Sequence, residues 1–152
     1  MEARDSSALE EARRIFSADR YAVALTGIEI DAVGERYAKC SLKLDERHRN
    51  AYGHAMGGVI FTLADFVFAV ATNFRQPTTV TSVAQVSYLR APKGRVLYGE
   101  SCLLKDGRHT CFYEIRITDD LGTAVAAISI SGAHLEGWRA GGDKAAERAA
   151  DM

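Results

Sequence analysis

Hydrophobic and polar positions change their spacing several times along the chain, and each change marks an element. From Ser6 to Arg20 (SSALEEARRIFSADR) the apolar residues Leu9, Ile15 and Phe16 suit one face of a helix, with Ser6 or Ser7 placed to cap it and Glu10 in its first turns. This predicts an amphipathic helix that covers part of the core. Between Gly27 and Leu44 the period falls to two: Ile28, Ile30 and Ala32 alternate with polar neighbours, Val33-Gly34-Glu35-Arg36 turns, and Tyr37 to Leu44 alternates again. That is a β-hairpin. Asp45 to Ala55 (DERHRNAYGHA) is polar and irregular and reads as a loop. The run from Gly57 to Asn73 (GGVIFTLADFVFAVATN) then has no polar stripe. Apart from two threonines, one asparagine and one aspartate, every residue in it is apolar, alanine or glycine, so a helix here is covered on nearly every side.

Gln76-Pro77-Thr78-Thr79 breaks that pattern, and strand-like runs follow at Val80 to Arg90, Val96 to Leu104, Thr110 to Thr118 and Thr123 to Leu135. Their separators, Pro92-Lys93-Gly94, Lys105-Asp106-Gly107-Arg108 and Asp119-Asp120-Leu121-Gly122, all carry glycine. The sum is a hairpin, one long buried helix and a four-stranded antiparallel meander, an α+β chain whose sheet curls about the helix on one side. A second copy of the chain is the economical cover for the other. Residues 1–26 form the N-terminal helix and its lead-in, 27–135 the domain, and 136–152 a frayed or weakly helical tail whose start Trp138 can pin.

Length and charge narrow the function. A chain of 152 residues suits one domain with a real core. A net charge of -1 offers no basic face for nucleic acid. Cys40, Cys102 and Cys111 lie in strand-like runs without metal-binding spacing and read as reduced core residues of a cytoplasmic protein. Met1 to Arg20 is charged throughout and lacks the apolar core of a signal peptide. The central apolar run is slightly short for a membrane span, opens on two glycines and would put an aspartate near the bilayer centre, so no membrane is expected. His48, His54, His109 and His134 are scattered without ligand spacing, and there is no GxSxG elbow or dinucleotide fingerprint.

Chemistry therefore concentrates on Asp65, the one ionisable group in the apolar run. A carboxylate there is costly to desolvate unless paired, hydrogen-bonded or protonated, which suits either a structural aspartate or a tuned base. Its neighbours Phe61, Leu63, Phe66, Phe68 and Val70 favour a raised pKa. Gly57 and Gly58 open the helix, where unpaired N–H groups and the positive end of the helix dipole point outward and can hold an oxyanion. Glycine there also permits a close approach to the backbone.

The segment Asn50-Ala-Tyr-Gly-His-Ala-Met-Gly-Gly-Val-Ile-Phe-Thr-Leu-Ala-Asp65 resembles the hotdog-fold acyl-CoA thioesterases of the phenylacetate-degradation (PaaI-like) type. So do Val80-Thr-Ser-Val-Ala-Gln-Val-Ser-Tyr-Leu-Arg90-Ala-Pro-Lys-Gly94 and the hairpin pair Gly107-Arg108. The likeness runs from about Gly27 to Leu135 and implies a hotdog fold, an obligate homodimer often paired again into a tetramer, and release of free CoA and a carboxylic acid. Coenzyme A enters only as part of the substrate, and no cofactor is implied. In the matching positions Asp65 is the catalytic acid, Gly57 the oxyanion donor and Gly58 its neighbour. Asn50 suits either the thioester or ordinary turn chemistry. Thr81 aligns with a strand hydroxyl that positions water, ahead of Ser82 on the opposite face. Met56 stands where the family has a histidine, so that residue's role does not transfer, and His54 is the nearest substitute. Arg90, Lys93, Arg95 and Arg108 are candidates for the phosphates of CoA.

Eight residues separate Gly57 from Asp65, roughly 12 Å along one helix. Base and oxyanion donor must both reach within about 3 Å of the reacting atoms. Acting on one thioester, they come from two subunits, giving two sites about a two-fold axis. Whether Asp65 attacks directly or activates water is open at this point. The rival readings are a hotdog hydratase or dehydratase, which pairs an acid with a histidine, and an acyl-CoA binding module that lost the chemistry.

Overall fold

The computed structural model describes residues 2–135. Helix α1 (Glu2–Phe16) and a single π-helical turn (Arg20–Leu25) precede the hairpin β1 (Glu29–Gly34) and β2 (Tyr37–Lys43). A 3-10 turn (Glu46–His48) leads into α2 (Gly57–Asn73), followed by β3 (Thr79–Tyr88), β4 (Val96–Asp106), β5 (Thr110–Asp119) and β6 (Ala124–His134). The strands form one six-stranded antiparallel sheet, and α2 touches every strand of it, which is the hotdog arrangement. Leu63, Val67 and Val70 of α2 are fully buried with Leu97, Ile115 and Ile128 of the sheet.

The sheet order β1-β2-β4-β5-β6-β3 corrects the expected four-stranded meander. Only β4, β5 and β6 meander; β3 pairs with β6 at the far edge and β4 joins the hairpin through β2. Alternation along β3 is the same whichever neighbour it takes, so the sequence pattern does not distinguish the two orders. The chain leaves α2 on the outer side of β6 and must then cross the ends of β6 and β5 to reach β4.

That crossing is tied down by two carboxylates of the β5–β6 turn. Asp119 Oδ2 accepts from the N–H of Lys93 and Gly94 (2.8 and 2.9 Å), while its Oδ1 accepts from Leu121 and Thr123 (3.0 and 2.8 Å). Asp120 Oδ1 accepts from Arg95 and Val96. A Cβ at Gly94 would collide with the Asp120 carboxylate, so the crossing requires glycine there. Burial opposes the charge on Asp119, but the donated N–H bonds outweigh it and hold the carboxyl well below its ordinary range. A group depressed in the folded state contributes stability that is present above its unfolded pKa and is lost as pH falls toward the folded value. Asp119→Asn is accordingly expected to lower the melting temperature at pH 7 and to flatten its fall below pH ~4, read by thermal melts across pH.

The N-terminal helix starts at Glu2, so Ser6 and Ser7 lie inside it rather than capping it, and it ends at Phe16 rather than Arg20. The residues ahead of Ser6 extend the helix upstream, and Asp19 instead caps the π turn through Ala22 N–H at 2.9 Å. As expected, α1 covers core: Ala12 is fully buried and Phe16 meets Phe66 edge to face, with centroids 6.1 Å apart. The Glu11–Arg75 ion pair joins α1 to the chain just beyond α2. Cys40 and Cys111 are buried, but Cys102 is exposed, because its position on β4 faces outward. The tail from residue 136, with Trp138, lies outside the described residues.

At one end of the sheet the start of β3 is locked. Thr79 Oγ1 and His134 Nδ1 are 2.7 Å apart, His134 Nε2 and Asp106 Oδ1 are 2.7 Å apart, and Arg36 Nε meets Asp106 Oδ2 at 2.8 Å. The Asn73 side chain bonds both the N–H and the carbonyl of Thr79.

Candidate active site

One stripe of α2 is left partly open by the sheet. Gly58, Thr62, Asp65 and Ala69 follow one another at helical spacing and are exposed or half-buried, whereas Leu63, Ala64, Val67, Val70 and Ala71 behind them are buried. Asp65 thus stands in the only gap of an otherwise apolar helix. Thr81 Oγ1 donates to Asp65 Oδ1 at 3.3 Å. Burial pushes the Asp65 carboxyl above its ordinary value, the Thr81 bond partly offsets this, and the negative charge of Asp19 adds to the rise. The result is a carboxylate of strengthened basicity with a hydroxyl fixed beside it.

The register of β3 separates Thr81 from Ser82. Thr81 pairs with Gly132 and Val83 with Ser131, leaving Ser82 as the unpaired residue of a bulge. Gly132 lies against Phe68 of α2, so Thr81 shares the face that meets the helix.

Gly57 is the first residue of α2, and Met56 is its N-cap without a side-chain bond to the helix. The cap is instead set from behind: Met56 N–H donates to His48 O at 2.8 Å. His48 is 2 % exposed, accepts at Nδ1 from Asp45 N–H (2.9 Å) and reaches Thr26 O through Nε2 (2.7 Å). The expected irregular loop therefore contains an ordered 3-10 turn closed by a capping box. Nothing in the spacing of His48 distinguished it from the other histidines, because its partners are backbone groups.

Tyr88 is a second residue that pattern reading passed over. Its Oη donates to Gly57 O at 2.9 Å, and its ring lies over the Gly57 α-carbon, where a Cβ would stand 3.1 Å from Oη. The close approach that glycine permits at this position is made by a side chain of the same subunit.

The other candidates divide. Asn50 Oδ1 accepts from the N–H of Tyr52 and His54 (3.0 and 3.1 Å), so its oxygen serves the turn. His54 is exposed and enters this loop through its backbone. Met56 is exposed beside Gly58. Arg90, Lys93 and Arg95 gather on the β3–β4 crossing, but Arg108 sits on the β4–β5 turn at the opposite end of the sheet. Within one subunit Arg90 and Arg108 cannot meet the same phosphate. Thr79, His134 and Asp106 are joined in the order of a hydrolytic triad, but Thr79 is 5 % exposed and its row braces the sheet. Among the described residues no group of three or more His, Cys, Asp or Glu comes together as a metal site, and no helix is long and apolar enough to cross a membrane.

Residues 52–126 match the model of the thioesterase superfamily. The chain is similar to the acyl-coenzyme A thioesterase PaaI of Escherichia coli, at 29% identity over 78% of this chain and 85% of that one. The solved structure of PaaI superposes with a TM-score of 0.78, covering 87% of this chain and 96% of PaaI at 22% identity. A hypothetical thioesterase from Streptococcus pneumoniae, solved with coenzyme A, superposes at 0.74, covering 82% and 99% of the two chains at 24% identity. A putative esterase of Archaeoglobus fulgidus is 29% identical over 60% of each chain, so this chain spans under two thirds of that relative.

Proposed function

From the premise that the chain belongs to the thioesterase superfamily, in its PaaI-like hotdog branch, we propose that it hydrolyses acyl-CoA thioesters to free coenzyme A and a carboxylic acid. The observation that carries the reading is Asp65: a half-buried carboxylate of raised pKa, in the one open stripe of an apolar helix, with the Thr81 hydroxyl on it. A binding module has no use for a charge held at that expense.

In this reading Asp65 supplies the base or the nucleophile. As a base it takes a proton from water, whose oxygen adds to the thioester carbonyl; as a nucleophile its own oxygen adds, and water later cleaves the mixed anhydride. Either way the carbonyl oxygen gains negative charge, the C–S bond breaks and the thiolate of CoA leaves. The Gly57 N–H of a partner subunit, at the positive end of its helix, receives the oxyanion, with Gly58 beside it. Thr81 orients the Asp65 carboxylate, and Asn50, whose oxygen is engaged in its own turn, would meet the thioester or its water through the amide NH2. Arg90, with Lys93 and Arg95, is the group of cations suited to the phosphates of one CoA, and Arg108 would serve only from the other subunit. The reaction draws on no cofactor beyond the coenzyme A of its substrate.

Because one helix holds Gly57 and Asp65 roughly 12 Å apart, the working unit is a homodimer, which can pair again into a tetramer. The open stripe of α2 and the unpaired edge of β3 are the surfaces a second copy would cover. Incubation with aryl-acetyl, short-chain and medium-chain acyl-CoAs in the presence of a thiol-trapping reagent tests the activity. Thiol release with at least one acyl class is expected, and tight acyl-CoA binding without release would overturn it.

A further inference from the structure

We propose that Tyr88 is a positioning residue for the oxyanion end of α2, acting through the Gly57 carbonyl. The inference rests on the reading above and adds a residue that this reading does not use. The first turn of α2 is poorly constrained by its own sequence. Two successive glycines open it, and the Met56 cap makes no side-chain bond. Tyr88 supplies the missing constraint twice over. Its hydroxyl donates to Gly57 O at 2.9 Å, and its ring occupies the space above the Gly57 α-carbon, with Oη, Cζ and Cε1 standing 3.1, 3.2 and 3.4 Å from where a Cβ would be.

The Gly57 carbonyl shares one peptide plane with the Gly58 N–H. A hydrogen bond accepted by that oxygen restrains the rotation of the plane and so the direction of the Gly58 N–H, while the ring over the Gly57 α-carbon limits the torsions that carry the Gly57 N–H. It also polarises the amide, making Gly58 N–H a stronger donor. The ring keeps Gly57 from relaxing toward the many backbone conformations open to it. Tyr88 thereby preorganises donors that must already point at the oxyanion when charge develops, the condition under which such donors accelerate a reaction.

Tyr88 is 54% exposed, so removing its hydroxyl strands no buried group and leaves folding intact. The experiment is Tyr88→Phe assayed by thiol release beside Asp65→Asn. For Tyr88→Phe a fall in kcat of about ten-fold is expected, with KM within about two-fold, an unchanged acid limb in the pH profile and an unchanged melting temperature. Tyr88→Ala, which also loses the ring, should fall further. A Tyr88→Phe enzyme with wild-type kcat, or one altered only in KM, would overturn the proposal. If that occurs while Asp65→Asn is inactive, the thioesterase mechanism stands and only the role of Tyr88 is lost. Full activity in Asp65→Asn with a slowed Tyr88→Phe would retire the Asp65 reading and keep this one.

Discussion

Asp65→Asn is expected to lower kcat/KM for an acyl-CoA substrate by about 10²–10⁴-fold, the range that general-base or comparable positioned catalysis supplies. The substitution is isosteric and keeps an oxygen for the Thr81 hydroxyl, so the loss reports the charge and not the packing. The pH dependence carries the same signature. Asp65 must be ionised to act, and burial pushes its carboxyl above the ordinary 3.8, so the acid limb of the wild-type profile should lie above that pH. In the asparagine variant that limb should vanish.

Stability should move the other way. A carboxyl whose folded-state pKa is raised binds its proton more tightly when folded, so its ionised form weakens the fold at neutral pH and this penalty lifts as pH falls through the folded value. Asp65→Asn should therefore melt no lower than the wild type at pH 7. A variant that loses both activity and melting temperature would mean that Asp65 is structural, and a fully active variant would remove it from the chemistry.

Mixing two inactive variants should restore activity. If each site combines Asp65 of one subunit with Gly57 of the other, an Asp65→Asn homodimer and a Gly57→Val homodimer are both dead. A dimer containing one chain of each has one intact site, built from the Gly57 of the first chain and the Asp65 of the second. After random exchange about half the dimers are mixed, so about a quarter of the wild-type activity should return. Valine is chosen because its side chain displaces the Tyr88 ring from the helix start. Exchange is checked by native mass spectrometry with one variant isotopically labelled. Mixed dimers that form and remain inactive would show that base and oxyanion donor belong to the same chain.

The central helix was more legible than the topology. Asp65 stood out because a charge in an apolar run is expensive wherever the run folds, and the same run delimited α2 from Gly57 to Asn73 without error. Thr81 was separable from Ser82 only by a resemblance, since alternation alone does not reveal a bulge. The place of β3 was hidden because strand order depends on where α2 delivers the chain, and no local pattern records that. Tyr88, His48 and Asp19 escaped for a common reason. Tyr88 and His48 work through backbone atoms of distant residues, and Asp19 reaches Asp65 only through space, so neither spacing nor motif marks them.

The extra residue in β3 has an arithmetical consequence. Thr81 and Tyr88 lie seven positions apart, an odd number that in an unbroken strand would send them to opposite sides. Both nevertheless turn toward α2, one reaching Asp65 and the other Gly57. Ser82 makes up the difference: it is counted in the chain but not in the ladder, and so restores parity between the two groups. The ladder skips its place and makes no use of its hydroxyl. Ser82→Ala should be silent, and removing Ser82 should leave the two groups six positions apart in an unbroken strand, still on the side that faces α2, whereas deleting a residue from the regular part of the strand, such as Gln85, should turn one of them away.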